Sequence, residues 1–466
     1  MDQTPHVALL PGPGMGNLFP FIELAKQLVH HHHLSATILI PNAGPPPPAQ
    51  TTVLQTLPKT IKHIFLPPVD LPKDLNIVSQ VVLTVTLSLP SLRHTLASLT
   101  TTTRLVALVV NLFGLDAFNI AEEFGISKYL FFPSPAIALL FSVHLPKLDE
   151  TVIGEYRDLP EPVQLPGCVP VHGRDFPDPV QDRSLQGYKG LLENVKRYGS
   201  ADGIILNSFM ELEEGAIKAL QAEELGKPPV YAVGPLIRAG SSDGLERSEC
   251  LQWLECQPSG SVVFVSFGSG GTLSHDQLNE LALGLELSAQ RFLWVVRSPN
   301  DKSANGAFFE AQSQDDHFSF LPKGFLERIQ GRGLVLPSWA PQIEVLSHCA
   351  TGGFLTHCGW NSILESIVHG VPLITWPLYA EQKMNAVMLT EGLNLALRPK
   401  SDETGLVRRE EIANVVKSLM EGENGKEVRQ RMKRFKDVAA KVLNEEGSSR
   451  KSLSELASKW TNQKKN

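Results

Sequence analysis

Runs of continuous apolar residues alternate along this chain with stretches of helical spacing, and most runs end in glycine, proline or asparagine. Residues 6–10, 36–40, 61–66, 105–110, 129–132 and 204–206 read as strands. They lack polar alternation, which predicts a parallel sheet covered on both faces. Residues 18–29 have helical spacing, and residues 78–99 predict one long helix bent at Pro90. A second set follows, with strands at 262–267, 292–296, 334–336, 353–356 and 372–376 and a helix at 361–370. From Arg408 the pattern is helical, and its last helix, at 451–460, is long enough to cross back over the first set. Strand and helix alternating twice over predict two doubly wound α/β domains. The Gly-, Ser-, Asp- and Arg-rich stretch between the sets reads as a linker. The divisions are then 1–235, a linker at 236–249, 250–440, and a returning C-terminal helix within 441–466. Residues 298–319 are polar and without period, as in a surface loop.

Composition narrows the function. A chain of 466 residues fits two domains, each with its own core. With 42% hydrophobic and 20% charged residues it reads as an ordinary soluble protein. A formal net charge of -7 with no long basic run argues against a nucleic-acid partner. The five cysteines show no CxxC spacing, which predicts reduced thiols in the cytosol rather than a disulfide framework or a zinc site. Neither a signal-peptide pattern nor a run of about 18 apolar residues is present, so no membrane span is expected and the compartment is cytoplasmic. Residues 30–33 are all histidine, but adjacent residues cannot face one ion from a helix. They read as a helix C-terminus that tolerates cations, and no metal site is predicted. The four prolines at 45–48 read as an extended loop.

Two stretches carry candidate chemistry. Gly12, Gly14 and Gly16 follow the first strand like a dinucleotide fingerprint, but the next glycine is replaced by Asn17 and the second strand ends in Ile40-Pro41, with no acid for a ribose. A nicotinamide reading fails, and a turn that lets a ligand approach the backbone remains. Residues 339–382 are the organising stretch. Their turn at 357–362 lies between a strand end and a helix N-terminus, where free N–H groups and the helix dipole favour a phosphate.

Over its full length this stretch resembles the sugar-nucleotide signature of plant family-1 UDP-glycosyltransferases, with Trp339, Gln342, His357, Trp360, Asn361, Ser362, Glu365, Glu381 and Gln382 at the anchor positions. The similarity runs along nearly the whole chain and looks closest to the branch that glucosylates hydroquinone and other small phenols. The resemblance implies the GT-B architecture, two facing Rossmann-like domains. It also implies a monomer, UDP-glucose or a related UDP-sugar as co-substrate, no metal or other cofactor, and a small aromatic or other plant metabolite as acceptor. Trp339 would stack on uracil, and Gln342 would read its edge or the ribose. Glu365 would accept from ribose hydroxyls, while His357, Asn361, Ser362 and Ser269 would face the diphosphate. Glu381 and Gln382 would bind sugar hydroxyls. Trp360 would buttress the turn.

The same resemblance exposes a departure. The family places a basic His at the start of the first helix and an Asp that orients it after the fourth strand. The matching positions here are Asn17 and Asn111, and Gly12 stands where that branch commonly has Ser. An amide cannot take a proton near neutral pH, and loss of a general base costs about 10²–10⁴-fold in rate. The two amides are expected to hydrogen-bond each other and keep the cleft's shape. Asp116 is expected in the following helix, and His144 is a candidate on the acceptor-side helix. Three functions follow: a transferase for phenols or carboxylic acids that arrive ionised, a scaffold repurposed for a non-glycosylating reaction on a plant metabolite, or a non-catalytic ligand-binding protein.

Overall fold

The computed structural model describes residues 4–72, 75–222, 227–238, 248–306 and 318–463, so the linker and the 298–319 loop lie partly outside the described residues. Seven strands form the first sheet: β1 (Pro5–Leu10), β2 (Ser35–Ile40), β3 (Ile61–Phe65), β4 (Arg104–Val110), β5 (Ser127–Phe132), β6 (Gly203–Leu206) and β7 (Val230–Ala232). Their order is β3-β2-β1-β4-β5-β6-β7. Six strands form the second: β8 (Val262–Ser266), β9 (Arg291–Val296), β10 (Gly333–Pro337), β11 (Thr351–Thr356), β12 (Leu373–Thr375) and β13 (Ala396–Leu397), in the order β10-β9-β8-β11-β12-β13. Every pairing is parallel. These are two Rossmann-like α/β units, as in GT-B enzymes. β7 and β13, at three and two residues, are too short to leave a mark in the hydropathy pattern.

Helices cover both faces of each sheet, which is why β1, β4 and β8 are apolar almost throughout. The register brings strand ends level at the centre of each sheet, Leu10 beside Val110 and Ser266 beside Thr356.

Local chemistry corrects several expectations. Residues 78–99 form two helices, Ile77–Leu87 and Leu89–Thr102, meeting at Ser88. Pro90 falls in the first turn of the second helix, where its missing N–H leaves no bond unmade. Pro48 opens a helix, Pro48–Gln55, rather than ending an extended loop. The histidine run does end a helix, Met15–His32, with His33 left-handed at φ 55. Burial, then Arg450, pushes the His32 imidazole down to about 4, and His31 is lowered by the same causes in the same order. His32 is therefore not a cation near neutral pH.

The last helix, Ser448–Asn462, packs on the first sheet. Trp460 is fully buried and meets the Tyr129 ring edge-on at 5.1 Å, while Leu453, Leu456 and Ala457 join the core of Val7, Leu9 and Ile38. This helix thereby closes the layer over β4, β5 and β7. Truncation by Trp460→Ala should cost about 3–5 kcal/mol of stability, because the indole's cavity is walled by strand residues that cannot collapse. Urea unfolding followed by circular dichroism checks this, and an unchanged midpoint would mean the helix contributes little to the fold.

Candidate active site

In each sheet the strand order reverses once, between β1 and β4 and between β8 and β11. Chains diverge there, so a crevice opens beyond the carboxyl ends. Asn17 and Asn111 flank the first crevice; Ser269 and His357 flank the second. Contacts between the two units join the crevices. Asn361 Nδ2 donates to the Gly16 carbonyl at 3.0 Å, and Ser134 Oγ donates to Glu381 Oε1 at 2.7 Å. The Trp360 indole N–H donates to the Asn207 carbonyl at 2.6 Å. Trp360 thus ties the signature to the end of β6, and its only polar atom is committed there.

His357 is buried on the turn after β11, packed against Gly268 of the turn after β8. Gly268 has φ 70, and a Cβ there would sit 2.5 Å from His357 Nε2, so the imidazole can stand here only beside a glycine. Burial, then the Arg297 cation, pushes His357 down to about 4. It is therefore a neutral imidazole that offers an N–H. Gln342 Nε2 bridges Ser362 Oγ at 2.9 Å and Glu365 Oε2 at 2.7 Å. Burial lifts the Glu365 carboxyl from 4.5 to about 7, against the pull of Gln342 and Arg238. Trp339, just past β10, is 63% exposed, leaving its ring open to stack on a ligand. Gln382 Oε1 accepts from the Leu378 and Tyr379 amides at 2.9 and 3.0 Å, and Asp178 holds Ala380 by two hydrogen bonds. These contacts shape the loop that presents Glu381.

On the opposite side the two amides do not hydrogen-bond each other, contrary to expectation. Asn17 Nδ2 donates to the Pro13 carbonyl at 2.8 Å, within its own first turn. Asn111 Oδ1 accepts from the Phe113 amide at 3.1 Å. That bond fixes the amide's orientation, because the reverse would set two donors face to face. Among the described residues, Asn111 Nδ2 is left buried with no acceptor. It lies where a side chain at position 12 would be: a Cβ on Gly12 would fall 2.2 Å from Asn111 Nδ2 and 3.4 Å from Asn17 Nδ2. Asp116 stands just before the helix Ala117–Glu123 without a side-chain capping bond, and pairs with Arg197 at 2.8 Å rather than lying inside the helix.

Residues 246–443 match the family model for UDP-glucoronosyl and UDP-glucosyl transferases. The hydroquinone glucosyltransferase of Rauvolfia serpentina is 59% identical over 465 residues, covering 99% of each chain. This chain belongs to the UDP-glycosyltransferase family. Among solved structures, a Phytolacca americana UGT2 complexed with UDP-2fluoro-glucose and pterostilbene superposes with a TM-score of 0.90 at 54% identity, covering 99% of this chain and 100% of that one. A Polygonum tinctorium UDP-glucosyltransferase capable of glucosylating indoxyl superposes with a TM-score of 0.91, also at 54% identity, covering 99% of each chain.

In this transferase, His144 bonds the Leu140 carbonyl of its own helix at 2.9 Å. It lines a cavity of about 220 Å³ with Tyr198, Ile204 and Val230, and neither Asn17 nor Asn111 lines that cavity. Among the described residues, no group of three or more His, Cys, Asp or Glu is arranged for a metal ion, and no helix is long and apolar enough to cross a membrane. All five cysteines are free. Sequence reasoning missed Ser134, Asp178 and Arg297. Ser134 and Arg297 each lie just past a strand's carboxyl end, and that placement was the available signal.

The raised Glu365 pKa sets a testable pH dependence. The group is harder to ionise in the folded chain, so folding opposes its charge. That penalty is absent below the unfolded value of 4.5, grows through the window, and is complete above about 7. Glu365→Gln should therefore stabilise the ligand-free transferase little at about pH 5 and clearly more at about pH 8. Thermal unfolding of both forms across this range decides it; a difference in Tm that does not change with pH would refute the assignment.

Proposed function

We propose that this transferase moves glucose from UDP-glucose to small plant metabolites whose acceptor oxygen is already ionised, without a side-chain base. The observation that carries this reading is the buried, unpaired N–H of Asn111. A buried donor without an acceptor costs about 1–3 kcal/mol, and a ligand bringing an anionic oxygen removes that cost. A carboxylate titrates near pH ~4 and an ordinary phenol near pH ~10, so carboxylic acids and acidic phenols fit the requirement. The acceptor oxygen attacks the sugar's C1, and the bond from C1 to the β-phosphate oxygen breaks. UDP departs with the electron pair. A carboxylate has no proton to lose; a phenol's proton goes to water. Positioning and stabilisation of the leaving diphosphate carry the rate.

On the donor side, Trp339, Gln342 and Glu365 serve the nucleoside, Ser269, His357, Asn361 and Ser362 the diphosphate, and Glu381 and Gln382 the sugar. The five free thiols support the cytosol as the compartment.

Calorimetry should find UDP binding, lost on Trp339→Ala or His357→Ala. No binding up to millimolar nucleotide would remove the transferase reading and leave a repurposed scaffold.

The acceptor side is tested with UDP-glucose and a graded series of phenols and carboxylic acids. The parent should favour acids. The double change Asn17→His, Asn111→Asp should raise rates on ordinary phenols by about 10²-fold or more and on carboxylates little. Asn17→His alone should gain much less. The Asn111 N–H would face the new imidazole, fixing its proton on the nitrogen that must act as base. Equal gains from the single and double variants would overturn this account, and no gain from either on any phenol would mean the pocket serves another reaction.

A further inference from the structure

We propose that Arg297 is the cationic contact for the diphosphate of the bound UDP-sugar, standing between the base platform and the phosphate-facing turns. The inference rests on the donor reading above and adds a residue that the signature does not contain.

Topology places it. In the order β10-β9-β8-β11, β10 leads into Trp339, β8 into Ser269 and β11 into His357. Arg297 is the first residue past β9 and so lies on the strand between base platform and phosphate turn. The step from β10 to β8 is two strand spacings, about 10 Å, comparable with the reach from a nucleobase to its phosphates. Local bonds pin it: Ser338 N donates to the Val296 carbonyl at 2.9 Å, and Arg297 Nη2 donates to the Ser338 carbonyl at 2.9 Å, beside Trp339.

Charge supplies the second argument. Arg297 is mostly withdrawn from water, and among the described residues the Ser338 carbonyl is its acceptor and no carboxylate pairs with it. A guanidinium carries five N–H donors, and one so placed calls for an anion. Ser269, Asn361 and Ser362 bring only neutral donors. His357 is neutral too, held so by burial and by Arg297 itself. Without Arg297 the diphosphate would meet hydrogen-bond donors but no cation from these turns. A planar fork of N–H groups suits phosphate oxygens.

The test is calorimetric titration of the full chain with UDP and with uridine, for the parent, Arg297→Met and Arg297→Lys. Arg297→Met should weaken UDP about ten- to a hundredfold while uridine changes by less than about twofold, since uridine uses the Trp339 platform and lacks phosphate. Arg297→Lys should recover part of the loss. If uridine weakens as much as UDP, Arg297 merely supports the platform and the proposal fails. It fails equally if UDP affinity is unchanged. If the parent binds uridine but not UDP, the donor reading itself falls and the inference with it.

Discussion

A parallel strand covered by helices on both faces can offer a ligand nothing but its ends. Both sheets here are of that kind, so the candidate site residues sit in the few residues after a carboxyl terminus. Asn111 follows β4, Ser134 follows β5, Ser269 follows β8, Arg297 follows β9, Trp339 follows β10 and His357 follows β11. The hydrogen bonds from Trp360 to Asn207 and from Asn361 to Gly16 then hold the two rows of ends against each other. A transferase needs two substrates in one crevice, and this constraint supplies the place.

The electrostatics of the crevice follow from the same burial. Glu365 is held protonated up to about 7, and His357 is held neutral down to about 4. Among the described residues, Arg297 is a cation with no carboxylate partner, and Asn111 Nδ2 a donor with no acceptor. Each is poorly satisfied in the free protein. Such groups are preorganised for partners that a ligand brings, because the fold has already met the cost of orienting them.

The acceptor side shows how one backbone bond decides chemistry. The Phe113 N–H needs an acceptor, and either Asp or Asn at position 111 can provide one. The far end of the side chain then differs: a carboxylate would present an oxygen to a neighbouring imidazole, whereas the amide presents N–H groups. Gly12 is coupled to that amide, since a side chain there would collide with its nitrogen.

Much was legible in the chain itself. Continuous apolar runs located eleven of the strands, because burial on both faces demands them, and the spacing of residues 339–382 carried the resemblance to the family's sugar-nucleotide signature. The amides at positions 17 and 111 were equally plain, and no context makes an amide basic. What the chain could not reveal depends on neighbours distant in sequence. Whether Asn17 and Asn111 bond each other was decided by Pro13 and Phe113, which compete for the same atoms. The lowering of His32 came from burial and then Arg450, and that of His357 from burial and then Arg297. Arg297 itself looks in sequence like any arginine after a strand. Only the strand order, set by how crossovers pack around the sheet, puts it between Trp339 and the turns after β8 and β11.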